Sequence, residues 1–173
     1  MSTRTLFEEV FRDEHRAIRD LLFDLVQAFR SRDLPGVHFF VNNLVNFAGP
    51  HFRYEEEALY PALLEVLSQE QVLSLLNDHD YAIGAIRKLA QLAGQSELTA
   101  LDARTGADCA QGLIAKVFGC DGLSIVIERL PDESIGEAMS ARNRALGANL
   151  DLLRWADTRR APREWQVEGF SAQ

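Results

Sequence analysis

The side chains most suited to chemistry in this chain are a histidine and a carboxylate in the segment His-Phe-Arg-Tyr-Glu-Glu at residues 51–56. His51 and Glu55 are four residues apart, so on a continuous helix both point to the same face. An imidazole supplies a nitrogen ligand for a metal ion, and a carboxylate supplies a hard oxygen that can bind one ion or bridge two. Glu56 and Glu57 extend a charged run, of which at least one member is expected to face solvent.

Two further histidines occupy related positions in the chain. His15 lies in Asp-Glu-His-Arg at residues 13–16, and His79 lies in Asn-Asp-His-Asp at residues 77–80. Both lie within segments whose apolar residues recur at helical spacing. Inward-facing residues from three helices can converge in the core of a bundle, as they do in carboxylate-bridged metal proteins. The remaining histidine, His38, is expected to be an ordinary core or surface residue.

The metal-binding segment has a second, altered copy later in the chain. Residues 51–72 align with residues 114–135, and in this frame Ile114 and Phe118 stand where the first copy has its histidine and carboxylate. Shifting the frame restores no complete pair. A soft ligand or redox role for Cys120 is an alternative, although a cysteine in an apolar helix is expected to serve packing. The chain therefore resembles two related helix pairs, the second partly stripped of ligands.

Composition and charge exclude several classes of partner. The 173 residues carry a net charge of −8, which argues against nucleic acid and anionic membranes because both require clustered lysine and arginine. No apolar run approaches the ~18 residues of a membrane span, and no signal peptide is visible. Two cysteines do not make a disulfide framework. These features predict a cytoplasmic protein with no nucleic-acid or membrane partner.

Apolar periodicity predicts helices throughout and no strands. The predicted helices span roughly residues 5–30, 37–67, 69–92, 105–130 and 135–158. Gly49-Pro50 is expected to kink the second helix without ending it, and Ser68 with Gln71 forms a capping box that opens the third.

Short connections between long helices imply antiparallel neighbours. The fold class predicted is therefore all-α, an up-down-up-down four-helix bundle with an extra C-terminal helix. We expect one domain over residues 1–160 and a tail over residues 161–173. The extra helix either covers the bundle or forms a homodimer contact, and amphipathicity does not choose between them.

Three motifs lie on three successive predicted helices: a histidine in the first, His-x-x-x-Glu followed by Leu-Tyr-Pro at 59–61 in the second, and an acidic residue followed by a histidine in the third. Together they resemble the hemerythrin-like, HHE cation-binding family over about residues 7–131. The resemblance implies a four-helix bundle that holds non-haem iron. Such proteins typically bind oxygen, store or sense iron, or respond to nitric oxide or peroxide. Carried onto this sequence, the implied iron ligands are His15, His51, Glu55 and His79.

Departures from the family pattern point to a reduced site. The fourth helix lacks its histidine and carboxylate, and Ile83 stands where hemerythrins place another histidine. Three nitrogens and one carboxylate suit one metal ion with open positions better than a di-iron centre. The leading hypothesis is a protein that binds or senses iron, O2 or NO, although the ligand set by itself would also accept zinc or manganese.

Two alternatives to this hypothesis remain open. One is a metal-free bundle that serves as an interaction or dimerisation module. The other is a non-haem iron oxidase or oxygenase, whose precedent is the facial arrangement of two histidines and one carboxylate. No separate acid-base pair is evident, so no catalytic residue is assigned.

Overall fold

The fold is built from helices that follow the predicted apolar periodicity. The computed structural model describes residues 2–161, apart from the side chains of Phe118, Cys120 and Asp121. Across these residues there are no strands, and the elements are α1 Thr3–Arg30, α2 Leu34–Tyr54, a π-helical turn Glu55–Leu59, α3 Tyr60–Leu63, α4 Gln69–Ala93, α5 Ala100–Asp121, α6 Leu123–Ile127, α7 Asp132–Ala148 and α8 Leu152–Thr158. Within the same residues, no helix has the length and apolar character needed to cross a membrane.

The four long helices α1, α2, α4 and α5 form the bundle. Helix α1 packs against α2 and α5, and α4 packs against the same two neighbours. Helix α7 lies against α1, α2 and the π-helical turn, whereas α8 lies against α2 and α4. The predicted all-α, hemerythrin-like bundle with a C-terminal addition is therefore confirmed.

Side-chain caps fix where the bundle helices begin. The Ser2 side chain accepts a hydrogen bond from a backbone N–H in the first turn of α1, and Asp33 does the same for α2. At the start of α4, Ser68 and Gln71 form the predicted capping box, each side chain bonding the other residue's backbone N–H. Each cap satisfies an N–H group that has no partner inside the helix.

Helix α2 continues through Pro50, as predicted, and passes directly into the π-helical turn. In that turn the backbone N–H of Tyr60 donates to the carbonyl of Glu55, five residues earlier. Turns of this kind are often found at functional sites. Here the side chains of both Glu55 and Glu56 are buried, at 1% and 4% exposed, while Glu57 is 41% exposed and pairs with Arg53.

Two apolar clusters make up the core, and the candidate site lies between them. On α1, Phe11 belongs to one cluster and Ile18 to the other, with the buried His15 between them. The largest fully buried side chains include Phe7, Tyr54, Tyr60 and Leu63 in the cluster of Phe11, and Phe29, Leu44, Leu89 and Trp155 in the cluster of Ile18. The polar site is thus enclosed by apolar packing on both sides.

The C-terminal addition consists of two helices, whereas periodicity predicted one continuous helix to Thr158. Asn149 ends α7 in the left-handed conformation, with φ of 48°, and asparagine is among the few residues that tolerate it. Residues 162–173, most of the predicted tail, lie outside the described residues, and the division into a domain and a tail stays a prediction.

Gly49 permits the link between α7 and α8 to lie directly on α2. A Cβ atom at Gly49 would lie 2.7 Å from the backbone nitrogen of Leu152 and closer still to the carbonyl oxygen of Leu150. The neighbouring atoms are backbone, so they cannot turn aside as a flexible side chain could. A glycine is therefore required for this close approach.

Replacing Gly49 with alanine should lower the free energy of unfolding by about 1–3 kcal/mol, the usual cost of overpacking. The matched control is Gly84→Ala on α4, where an added Cβ meets nothing within 4 Å. That change should raise stability by about 0.5–1 kcal/mol because alanine is the better helix former. Urea denaturation measures both variants, and equal effects would contradict the proposed close packing at Gly49.

Candidate metal centre

Glu55 lies at the centre of the polar cluster, where it begins the π-helical turn. Its Oε1 atom lies 3.5 Å from Nε2 of His51 and 3.8 Å from Nε2 of His15. Oε1 is buried and makes no hydrogen bond within the described part of the chain. One ligand atom from each of His15, His51 and Glu55 lies within 4.8 Å of the other two. The structure therefore brings three of the four predicted site residues together.

His79 contacts the other oxygen of the same carboxylate. Its Nε2 atom is 3.0 Å from Oε2 of Glu55, and its Nδ1 atom is 2.9 Å from Oε1 of Glu56. The Tyr60 hydroxyl lies 2.9 Å from Nε2 of His79 and donates to Oε2 of Glu55 at 3.4 Å. The imidazole also stacks on Phe52, with ring centroids 4.0 Å apart. The assignment of His79 as a metal ligand stays a prediction.

Hydrogen bonds at Nδ1 orient the rings of His15 and His51. Nδ1 of His15 lies 2.8 Å from the carbonyl oxygen of Phe11, one turn earlier on α1. Nδ1 of His51 lies 2.8 Å from Oε2 of Glu14. Because carbonyl and carboxylate oxygens only accept, each Nδ1 carries the hydrogen and donates it. Nε2 is then the ring nitrogen that can coordinate a metal ion, and on both rings it faces Glu55.

Two outer carboxylates, Glu14 and Glu56, each connect a histidine to an arginine. Arg142 on α7 donates from Nε to Oε1 of Glu14 at 2.6 Å. Arg160, just after α8, forms three hydrogen bonds to Glu56: Nε donates to Oε2 at 2.9 Å and to Oε1 at 3.2 Å, and Nη2 donates to Oε1 at 2.8 Å. Sequence reasoning missed all four of these residues. The one local signal was that Glu14 adjoins His15; the arginines lie far away in the sequence.

Electrostatic interactions keep the carboxylates ionised despite burial. Burial by itself would raise the pKa of Glu55, but the positive charge of His51 and the hydrogen bond from His79 bring it down to about 2. Burial would likewise lower the pKa of His79, yet hydrogen bonds to Glu55 and Glu56 raise it to about 9. The pKa of His51 is raised against burial by Glu55 and Glu14. Without a metal, the site therefore favours protons on these two rings.

A cavity of about 40 Å³ adjoins His15, His51, Glu55 and His79. By this measure one water needs roughly 10–15 Å³, so there is room for an ion with a small ligand. Lys116 and Asp78, both partly exposed, line the cavity and form an ion pair at 2.6 Å. The rest of the lining is apolar and comes from all four bundle helices: Ile18, Leu22, Leu44, Ala48, Phe52, Ala82, Ile86, Leu113 and Val117.

Helix α5 presents an apolar wall to the cavity. Leu113 and Val117, four residues apart, line it; they lie one position before the pair Ile114 and Phe118 of the sequence repeat, whose frame stays a prediction. Ile114 is buried in the apolar core, as expected for a packing residue. The expectations for Phe118 and Cys120 fall on side chains outside the described set.

The donor set fits a metal ion. Two imidazole nitrogens and one carboxylate oxygen suit iron(II), zinc or manganese. Ligand atoms about 2.1 Å from one ion are roughly 3.0–3.5 Å apart at tetrahedral or octahedral angles, close to the 3.5 Å and 3.8 Å observed around Oε1. Occupation by a cation would also give Oε1 of Glu55 the partner that it lacks among the described residues.

Comparison with known families agrees with the geometry. Residues 6–119 match the hemerythrin family, described as the Hemerythrin HHE cation binding domain. The chain belongs to this family. No curated protein and no solved structure gives a significant match. The hemerythrin match includes every predicted ligand and ends within α5, so α7 and α8 with their arginines lie beyond it.

Removing the His79 imidazole should make the stability of the metal-free protein less dependent on pH. Its pKa rises from 6.5 to about 9 on folding, so its contribution is fully present below pH 6.5 and is lost as pH rises through 9. The difference in free energy of unfolding between wild type and His79→Gln should therefore shrink across that interval. Chemical denaturation in the presence of a chelator measures this difference in the free energy of unfolding. A difference that stays constant across the interval would contradict the raised pKa of His79.

Proposed function

We propose that this hemerythrin-family bundle binds one metal ion, natively iron, through Nε2 of His15, Nε2 of His51 and Oε1 of Glu55. The observation that carries the proposal is the convergence of two oriented imidazole nitrogens on a buried carboxylate oxygen that makes no hydrogen bond among the described residues. In a metal-free interaction module, only the charge of the nearby imidazoles would offset the desolvation of that oxygen, with no hydrogen bond to it among the described residues.

His79 is the fourth residue of the proposed site. Its hydrogen bond to Oε2 holds the oxygen of Glu55 that does not face His15 and His51. Tyr60 contacts the same oxygen, so the carboxylate cannot turn away from the other two histidines without losing these bonds. In this proposal Oε1 of Glu55 binds the ion, and Oε2 accepts hydrogen bonds from His79 and Tyr60.

A single ion is favoured by the apolar surface of α5 at the cavity. Leu113 and Val117 stand there with a spacing at which a histidine and a carboxylate could have served a second ion. An iron(II) ion held by three protein ligands would keep open coordination positions. A diatomic ligand such as O2 or NO would bind at one of them. The small apolar cavity admits molecules of that size, so we propose binding or sensing of such a ligand as the function.

Metal content tests the proposed ligands directly. Wild-type protein, purified without a His-tag and reconstituted anaerobically with iron(II), should hold about one iron per chain by mass spectrometry, because one ligand set is present. His51→Ala should lose most of it, since the change removes a ligand and one of the hydrogen bonds to Glu14. The matched control is His38→Ala, an exposed histidine on the same helix, which should bind as wild type does.

The other outcomes of that measurement reject parts of the proposal. Unchanged metal in His51→Ala would overturn the ligand assignment, and two irons per chain would overturn the single-ion site. No metal after reconstitution would favour the metal-free interaction module. Oxygen consumption that depends on a substrate would favour an oxidase or oxygenase. The cytoplasmic location and a homodimer stay predictions that this experiment does not address.

A further inference from the structure

We infer that the segment after the bundle completes the metal centre by supplying two arginines, each of which positions a site histidine through a carboxylate. The two positioning residues are Arg142 on α7 and Arg160 just after α8. This inference rests on the proposed metal site and adds to it two residues from beyond the part of the chain that matches the family.

Arg142 acts on His51 through Glu14. The guanidinium donates from Nε to Oε1 of Glu14 at 2.6 Å, while the other oxygen, Oε2, accepts from Nδ1 of His51 at 2.8 Å and from the Tyr54 hydroxyl at 2.9 Å. Arginine and histidine thus take different oxygens of one carboxylate, which is 10% exposed. With both oxygens bonded, the carboxylate holds a single orientation, and the imidazole keeps Nε2 toward Glu55.

Arg160 acts on His79 through Glu56. Its Nε and Nη2 atoms bond the two oxygens of Glu56 at 2.9 Å and 2.8 Å, the paired geometry that a guanidinium provides and an ammonium cannot. Oε1 of Glu56 also accepts from Nδ1 of His79 at 2.9 Å. A second contact, from Nη2 to Asp80 at 2.7 Å, ties the arginine to α4, the helix that carries His79.

The physical consequence is a fixed orientation of each outer carboxylate. Glu14 accepts from the proposed ligand His51, which orients that ring and strengthens it as a donor. Glu56 accepts from His79, whose other nitrogen bonds Oε2 of Glu55 and so holds the ligating carboxylate in place. Without the hydrogen bonds from its arginine, Glu14 or Glu56 would be free to rotate and release its histidine. Changes to such outer partners typically lower metal affinity by about 10- to 100-fold.

Cobalt(II) titration of the metal-free protein tests the inference, because cobalt reports both affinity and ligand geometry through its visible absorption. Arg142→Gln and Arg160→Gln should each raise the cobalt Kd by about 10- to 100-fold and shift the absorption bands. The matched controls are Arg144→Gln on α7 and Arg159→Gln after α8, both exposed neighbours. They should bind cobalt as wild type does.

Lysine variants separate positioning from general structural support. Arg142→Lys should restore most of the affinity because a single charged hydrogen bond is enough at Glu14. Arg160→Lys should restore less, since the paired geometry at Glu56 needs a guanidinium. Circular dichroism checks folding, and a glutamine variant that does not fold is replaced by Arg142→Met or Arg160→Met, which also removes the hydrogen bonds to the carboxylate.

The outcomes distinguish this inference from the proposed function. If wild type binds cobalt and both glutamine variants bind it equally well with unchanged spectra, the arginines have no positioning role and the inference is overturned. Equal losses in the glutamine variants and in the exposed controls would overturn it as well. Failure of wild-type protein to bind cobalt would overturn the proposed site itself.

Discussion

The buried negative charge of Glu55 is the constraint on which the rest of the site depends. A carboxylate with 1% of its side chain exposed is costly to ionise unless cations and hydrogen bonds surround it. His79 and Tyr60 satisfy one oxygen, and the other faces two imidazole nitrogens. Protons on the histidines supply positive charge in the metal-free state. In the proposed site a divalent ion would supply it more locally, so metal binding and proton release would be coupled there.

The groups that surround Glu55 alternate in charge with distance from it. Each histidine that gains positive character lies between two carboxylates, and each outer carboxylate ends at an arginine. The result is one connected row of groups of alternating sign through the bundle: Arg142, Glu14, His51, Glu55, His79, Glu56 and Arg160. Its two end groups are Arg142 on α7 and Arg160 just after α8. The two C-terminal helices thus cover the bundle, which was one of the two roles expected for the C-terminal addition, and this segment also contributes charge to the site.

Sequence reasoning succeeded where the determining interactions are local. Apolar periodicity located the bundle helices, the capping box at Ser68 fixed the start of α4, and the spacing of His51 and Glu55 identified the central pair. It failed where distant segments meet. Glu56 turns inward because the π-helical turn alters the helix after Tyr54, and no spacing rule for an α-helix anticipates that. Arg142 and Arg160 lie 128 and 104 residues from their carboxylates, so only the folded chain shows the pairing.

The apolar clusters on either side give the polar centre a core that contains none of the proposed ligands. In small zinc domains the ion substitutes for a core, and removing it unfolds the chain. Here Phe7, Tyr54 and Leu63 on one side, and Phe29, Leu44 and Leu89 on the other, are fully buried by packing against other apolar residues. In the proposed site, this packing would hold the histidines and carboxylates in position. Binding energy would then serve affinity and discrimination among ions, because it would not be needed to order the site.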